Sequence, residues 1–230
     1  MSTLEAGTTP PVRPRPQVGL TELAVAVLGY IALCVAVGVA LGATGSPPDV
    51  ALAVAAVGVA TLGAVGLALA VRVRSLAPLR LRLPGRRWLL VGLAAGAGMR
   101  VVTLGVALVW TFLTGDTTNP QQALVDGAVG GGWTLVGLVV FGGLAVPFAE
   151  ELFFRGVVYS ALRRYGPVLA TLASAALFGI AHGVSVVLVV AFLLGVVNAV
   201  LVERSGSIWP AVLAHATNNM IALVLAYLLG

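Results

Sequence analysis

Charge is scarce in this sequence: Asp, Glu, Lys and Arg together make up 9% of its 230 residues, where a soluble domain has about one quarter. That shortage excludes a water-soluble reading. Lysine is absent and the basic residues, all arginine, gather at the ends of apolar runs instead of covering a face. A nucleic-acid-binding surface is therefore excluded, and the pattern reads as membrane topology. Cysteine occurs once, as Cys34 inside the first apolar run, so neither an internal disulfide nor a cysteine metal cluster can form. Its expected role is that of a small buried hydrophobe.

Hydrophobic residues, at 60%, fill what the charges leave. Runs long enough to cross a bilayer, about 20 residues each, recur from Val18 onward. The expected spans are Val18 to Ala43, Asp49 to Val71, Trp88 to Thr114, Trp133 to Leu162, Pro167 to His182, Val184 to Leu201 and Trp209 to Leu229. Turn chemistry separates them: Ser46, Pro47 and Pro48 break the first pair, Pro84 and Gly85 precede the third span, and Gly130 to Gly132 precede the fourth. The expected fold is thus all-α, a polytopic transmembrane helix bundle of about seven spans. Residues 1–17, with their prolines, read as a disordered cytoplasmic tail. Residues 18–230 read as a single membrane domain. A cleaved signal peptide is not expected, because the first apolar run is too long and further spans follow it.

Arginine sets the orientation. Arg13 and Arg15 lie in the tail, Arg72, Arg74, Arg80, Arg82, Arg86 and Arg87 in the second connection, Arg163 and Arg164 in the fourth, and Arg204 in the sixth. The connections between these hold Asp49, Asp116 and Asp126 and no arginine. Positive residues collect on the cytoplasmic side, so the N-terminus is expected inside, the C-terminus outside, and substrate access from the cytoplasm is favoured. Arg100 falls within the third span, where a charge is costly and calls for a partner or an aqueous cavity.

Chemistry concentrates in the segment from Glu150 onward, the last 80 or so residues. The fourth span carries Glu150 and Glu151 side by side, and intramembrane carboxylates are presumptively functional. Glu151 and Arg155 stand at i and i+4 and can pair, which leaves Glu150, on another face, free for chemistry. His182 closes the fifth span one turn after Phe178, on the same face. His215 in the seventh span has Asn219 one turn further on; taken alone these could be interhelical glue. At about 1.5 Å per residue from the flanking arginines, Glu150, His182 and His215 fall roughly 12 to 27 Å deep, so one shared intramembrane site is feasible.

Together the strings E-E-x-x-x-R (Glu150 to Arg155), F-x-x-x-H (Phe178 to His182) and H-x-x-x-N (His215 to Asn219) resemble the CPBP family of intramembrane proteases. That family includes the Ras-converting CAAX endoprotease and bacterial relatives linked to bacteriocin processing or self-immunity. The resemblance covers about 133–229, the expected catalytic core; each motif is weak alone and the ordered set is specific. It implies an intramembrane endopeptidase acting on a hydrophobic or lipidated membrane-associated substrate, in contact with membrane lipids, in a bacterial plasma membrane. Glu150 and His182 would activate water, His215 and Asn219 would stabilise the oxyanion, and Glu151, Arg155 and Phe178 would support them. No cofactor is expected in that version. A zinc version would take Glu150, His182 and His215 as ligands, but no H-E-x-x-H string is present and asparagine ligates zinc poorly. A non-catalytic immunity or partner protein, or a proton-coupled transporter using the same polar residues as a relay, are the competing functions.

Overall fold

The computed structural model describes residues 17–229; the expected tail, apart from Gln17, lies outside the described residues. The described residues form eight helices: α1 (Leu20–Gly42), α2 (Val50–Val71), α3 (Arg86–Thr114), α4 (Gln122–Val129), α5 (Gly132–Tyr165), α6 (Pro167–Ala181), α7 (Val186–Ser205) and α8 (Trp209–Leu229). Their ends follow local chemistry. Asp49 caps α2 by accepting from the Ala51 and Leu52 N–H groups, and Ser185 caps α7 through Val187. α3 and α7 stop at Gly115 and Gly206, both at positive φ where a Cβ would be strained.

Six of these helices are long and apolar enough to cross a membrane. The expected seventh span is shorter: α6 has 15 residues, about 22 Å of rise against a hydrocarbon core of about 30 Å. It begins at the arginine-bearing end and stops at Gly183, with φ 87°, in the short turn that leads into α7. His182 is consequently delivered inside the bundle. Large apolar side chains on the outer helices are exposed, among them Leu28 (67%), Val59 (70%) and Phe112 (87%). In water they would form an untenable patch; against lipid they are in their own medium. The protein is an integral membrane helix bundle.

Antiparallel packing sorts the connections into two ends. At one, Glu22 holds Arg72 in a two-point ion pair at 2.7 and 3.0 Å, Arg164 donates to the Val18 carbonyl, and Arg82 donates to the Gly206 carbonyl. Ser207 and Trp209 donate back to the carbonyls of Arg82 and Leu81. At the other end Thr134 donates to Asp49 at 2.6 Å. Every arginine in the described connections is at the first end. The centre between them is closed by small residues. A Cβ at Gly92 or Gly96 of α3 would run into the backbone of α8 at Pro210 and Ala214, so these glycines set how closely the two helices approach.

Candidate active site

α5 carries both carboxylates, and its backbone is irregular on either side of them. Leu138–Ala145 and Leu152–Tyr159 are π-helical and flank the α-helical turn Val146–Glu151. Such wide turns rotate the side chains that follow and recur at functional sites. Glu150 and Glu151 therefore leave the helix toward different surroundings. Glu151 is fully buried; Glu150 retains 13% side-chain exposure and faces a cavity.

Glu151 is the hub of the buried half. Its Oε1 lies 3.2 Å from Nη1 of Arg155, accepts from the Asn198 amide at 2.9 Å, and faces Nδ1 of His215 at 3.0 Å. The expected Glu151–Arg155 pair thus forms, but it is part of a larger cluster. Arg155 is equally buried, donates to the Gly195 carbonyl at 3.0 Å, and stacks its guanidinium over Phe178 at 4.7 Å. Buried ion pairs tolerate little loss, since either partner alone is a desolvated charge. Glu151 Oε2 and Arg155 Nε keep no hydrogen-bond partner.

Phe178 separates and orients the two imidazoles. Its ring meets His182 edge-on at 4.6 Å and His215 at 5.5 Å. His182 Nδ1 stands 2.8 Å from the Phe178 carbonyl. A carbonyl can only accept, so Nδ1 carries the proton and a neutral ring presents a lone pair on Nε2. His215 is held between the carboxylates, with Nε2 at 3.6 Å from Glu150 Oε2 and Nδ1 on Glu151.

Asn219 sits at the end of a donor chain. Arg100 donates to Asn218 Oδ1 at 3.1 and 3.3 Å, Asn218 donates to Asn219 Oδ1 at 3.1 Å, and Asn219 donates one N–H to the Gly142 carbonyl at 3.1 Å. Each acceptor in the chain is fixed by the donor before it, so the amide orientation of Asn219 is determined and its second N–H is spare. The costly charge in the third span finds its partner here. Asn198 and Asn218 are the participants that the motif spacing did not single out; Asn198 is a lone amide in an apolar run, a signal of the kind that marked Glu150, and Asn218 stands directly before Asn219.

Glu150, His182, His215 and Asn219 all line one cavity of about 540 Å³, together with Arg100, Phe178 and Asn218. Its wall climbs α5 from Glu150 to Leu138, α3 from Arg100 to Thr111 and α8 from His215 to Ala226, and its rim is the connection 116–121. That rim lies at the end without arginine, whereas the charge pattern favoured access from the arginine-bearing end. Among the described residues no three His, Cys, Asp or Glu side chains converge as a metal-holding group. Both nitrogens of His215 are turned to carboxylates. The Glu150, His182 and His215 set is not arranged to hold zinc.

The fold is that of a polytopic membrane helix bundle, with carboxylate, imidazole and amide groups lining a cavity inside it. Residues 132–221 match the family model described as Type II CAAX prenyl endopeptidase Rce1-like, a match consistent with the CAAX-type membrane proteases. No curated protein and no solved structure matches the chain.

Proposed function

We propose that this protein is an intramembrane endopeptidase that hydrolyses a peptide bond in a hydrophobic or lipidated, membrane-associated substrate without a metal. The observation that carries the reading is the gathering of Glu150, His182, His215 and Asn219 on one cavity inside a bundle of membrane-length helices. Water between the Glu150 carboxylate and His182 Nε2 gives up a proton to Glu150 as its oxygen attacks the scissile carbonyl. The carbonyl π electrons move onto oxygen, and this oxyanion accepts from the free N–H of Asn219 and from His215 Nε2. Because Nδ1 donates to Glu151, donation from Nε2 requires the doubly protonated ring. Collapse of the tetrahedral intermediate breaks the C–N bond, and the proton held by Glu150 passes to the leaving amine. The family match supports the reaction class; the peptide sequence cleaved is left to experiment.

The test is cleavage of lipidated and leader-type peptides by the detergent-solubilised protein, with a chelator arm. Glu150→Gln and His182→Ala are expected to lower kcat by about 10²- to 10⁴-fold, the usual worth of general acid–base catalysis, while the chelator changes nothing. A folded Glu150→Gln protein that cleaves at the wild-type rate would overturn the reading. Loss on chelation restored by zinc would overturn its metal-independent form.

A further inference from the structure

The two ends of the bundle differ in charge, and the cavity opens at only one of them. Arg72, Arg74, Arg80, Arg82, Arg86, Arg87, Arg163, Arg164 and Arg204 all lie in or beside connections at the end where α2 finishes and α3 begins. The opposite connections, 43–49, 115–131 and 182–185, contain Asp49, Asp116 and Asp126 and no arginine or lysine. The rule that basic residues stay cytoplasmic counts such short connections near helix ends, and here every one agrees with the others. The cavity belongs wholly to the acidic end. Its rim is 116–121, α6 and α7 contribute Phe178, His182 and Val186 to Leu194 around their 182–185 hairpin, and α8 contributes its C-terminal half. Nothing from the arginine end lines it. That end is bridged instead by the Arg82–Gly206, Ser207–Arg82 and Arg164–Val18 hydrogen bonds.

From this juxtaposition we infer that the cavity opens on the extracytoplasmic side, so that the polypeptide reaching Glu150 comes from outside or from the outer leaflet. The occupant is then an exported or translocated peptide, with an apolar stretch to match the wall formed by Leu104, Ala107, Val187, Val190 and Leu223. A protein tail lipidated and left in the cytoplasm would have to cross the bilayer to be cut. Only the word substrate in this inference rests on the endopeptidase reading; the direction of the opening does not.

Cysteine accessibility in intact cells tests the direction without reference to catalysis. In a Cys34→Ser background, which removes the sole native thiol, Thr117→Cys and Gln121→Cys put reporters on the exposed rim, and Leu83→Cys puts one on the exposed arginine end. Val187→Cys places a fourth on the cavity wall. A membrane-impermeant maleimide should label 117 and 121 as fully in intact cells as in lysed ones, and Leu83→Cys several-fold more after lysis. A small impermeant thiosulfonate should reach Val187→Cys from outside. Labelling of the rim only after lysis, or of Leu83→Cys in intact cells to the same extent as the rim, overturns the inference. Two rim positions guard against one variant failing to insert. Because labelling reads no turnover, an outward rim on a protein that cleaves nothing would sink the protease reading alone, and an inward rim on an active protease would sink this one alone.

Discussion

α1 and α7 are both apolar helices of membrane length, yet 6% of an apolar 18-residue stretch of α1 is buried, against 39% in α7. The difference lies in what each has to cover. α7 brings the Gly195 carbonyl and Asn198 to Arg155 and Glu151, groups that lipid cannot solvate, so helices must close around them. α1 meets the centre mainly through the Tyr30–Phe153 contact, with ring centroids 5.3 Å apart, and otherwise presents Ile31, Val35 and Val39 outward. Burial in this bundle follows polarity: the rare ionisable groups sit in the most enclosed part, and the smooth apolar helices form the lipid-facing wall.

The sharpest way to break that comparison is to remove one charge from the enclosed part. Glu151→Ala leaves Arg155 buried and unpaired, and thermal unfolding in detergent should show a loss of about 3–5 kcal/mol. The double variant Glu151→Leu, Arg155→Met should recover much of that stability, since well-packed apolar replacements of buried ion pairs are close to neutral. It should not recover cleavage, because His215 Nδ1 has lost its acceptor. Recovery of both would mean the cluster holds the helices and nothing else.

Packing against the active helix offers a smaller effect. Gly96→Ala pushes a methyl into the α8 backbone one residue before His215 and should cost about 1–3 kcal/mol, as overpacking does. Val35→Ala, at a position 60% exposed on α1, should stay within about 0.5 kcal/mol of wild type. Equal effects at the two positions would erase the distinction between wall and centre.

The legibility of these parts in the sequence follows the same division. Glu150, Glu151, Arg155, His182, His215 and Asn219 stand out because a charge or amide in an apolar run is costly enough to need a reason. The links between them do not stand out. Asn198 meets Glu151 across 47 residues, His215 meets it across 64, and Arg100 meets Asn218 across 118, and which faces of distant helices meet is not written in any one of them. The π-helical stretches are equally silent, since LVVFGGLA and LFFRGVVY fit an α-helix as well. The length of α6 is hard to read for a related reason: composition reports that a helix suits lipid, and only the Gly183 turn reports that it ends after 15 residues.

Arg100 sharpens the comparison from the other side, as the one charge on a largely exposed helix that is drawn into the centre. Arg100→Gln keeps some donor capacity but loses the charge-assisted hydrogen bonds to Asn218, each kind worth about 1.5–3 kcal/mol. With the orientation of Asn219 loosened, kcat should fall by about tenfold, equivalent to about 1.4 kcal/mol, with KM nearly unchanged. Arg100→Lys should rescue part of it. A change confined to KM would instead assign Arg100 to substrate binding.

The smallest expected effect lies at the acidic rim, away from any chemistry. The Thr134 hydroxyl, with the Leu52 and Ala51 N–H groups, holds the Asp49 carboxyl below its ordinary range. A depressed folded-state pKa means that the contribution is complete above the unfolded value, about 3.9, and is lost as the pH falls through the folded value. Thr134→Val removes the first of these donors, so Asp49 should protonate at a higher pH and the loss should begin earlier on acidification. Melting temperatures of both proteins measured from neutral pH downward check this. Coincident curves would mean that α2 and α5 are joined at this end by apolar packing alone, as the lipid-facing helices are along their lengths.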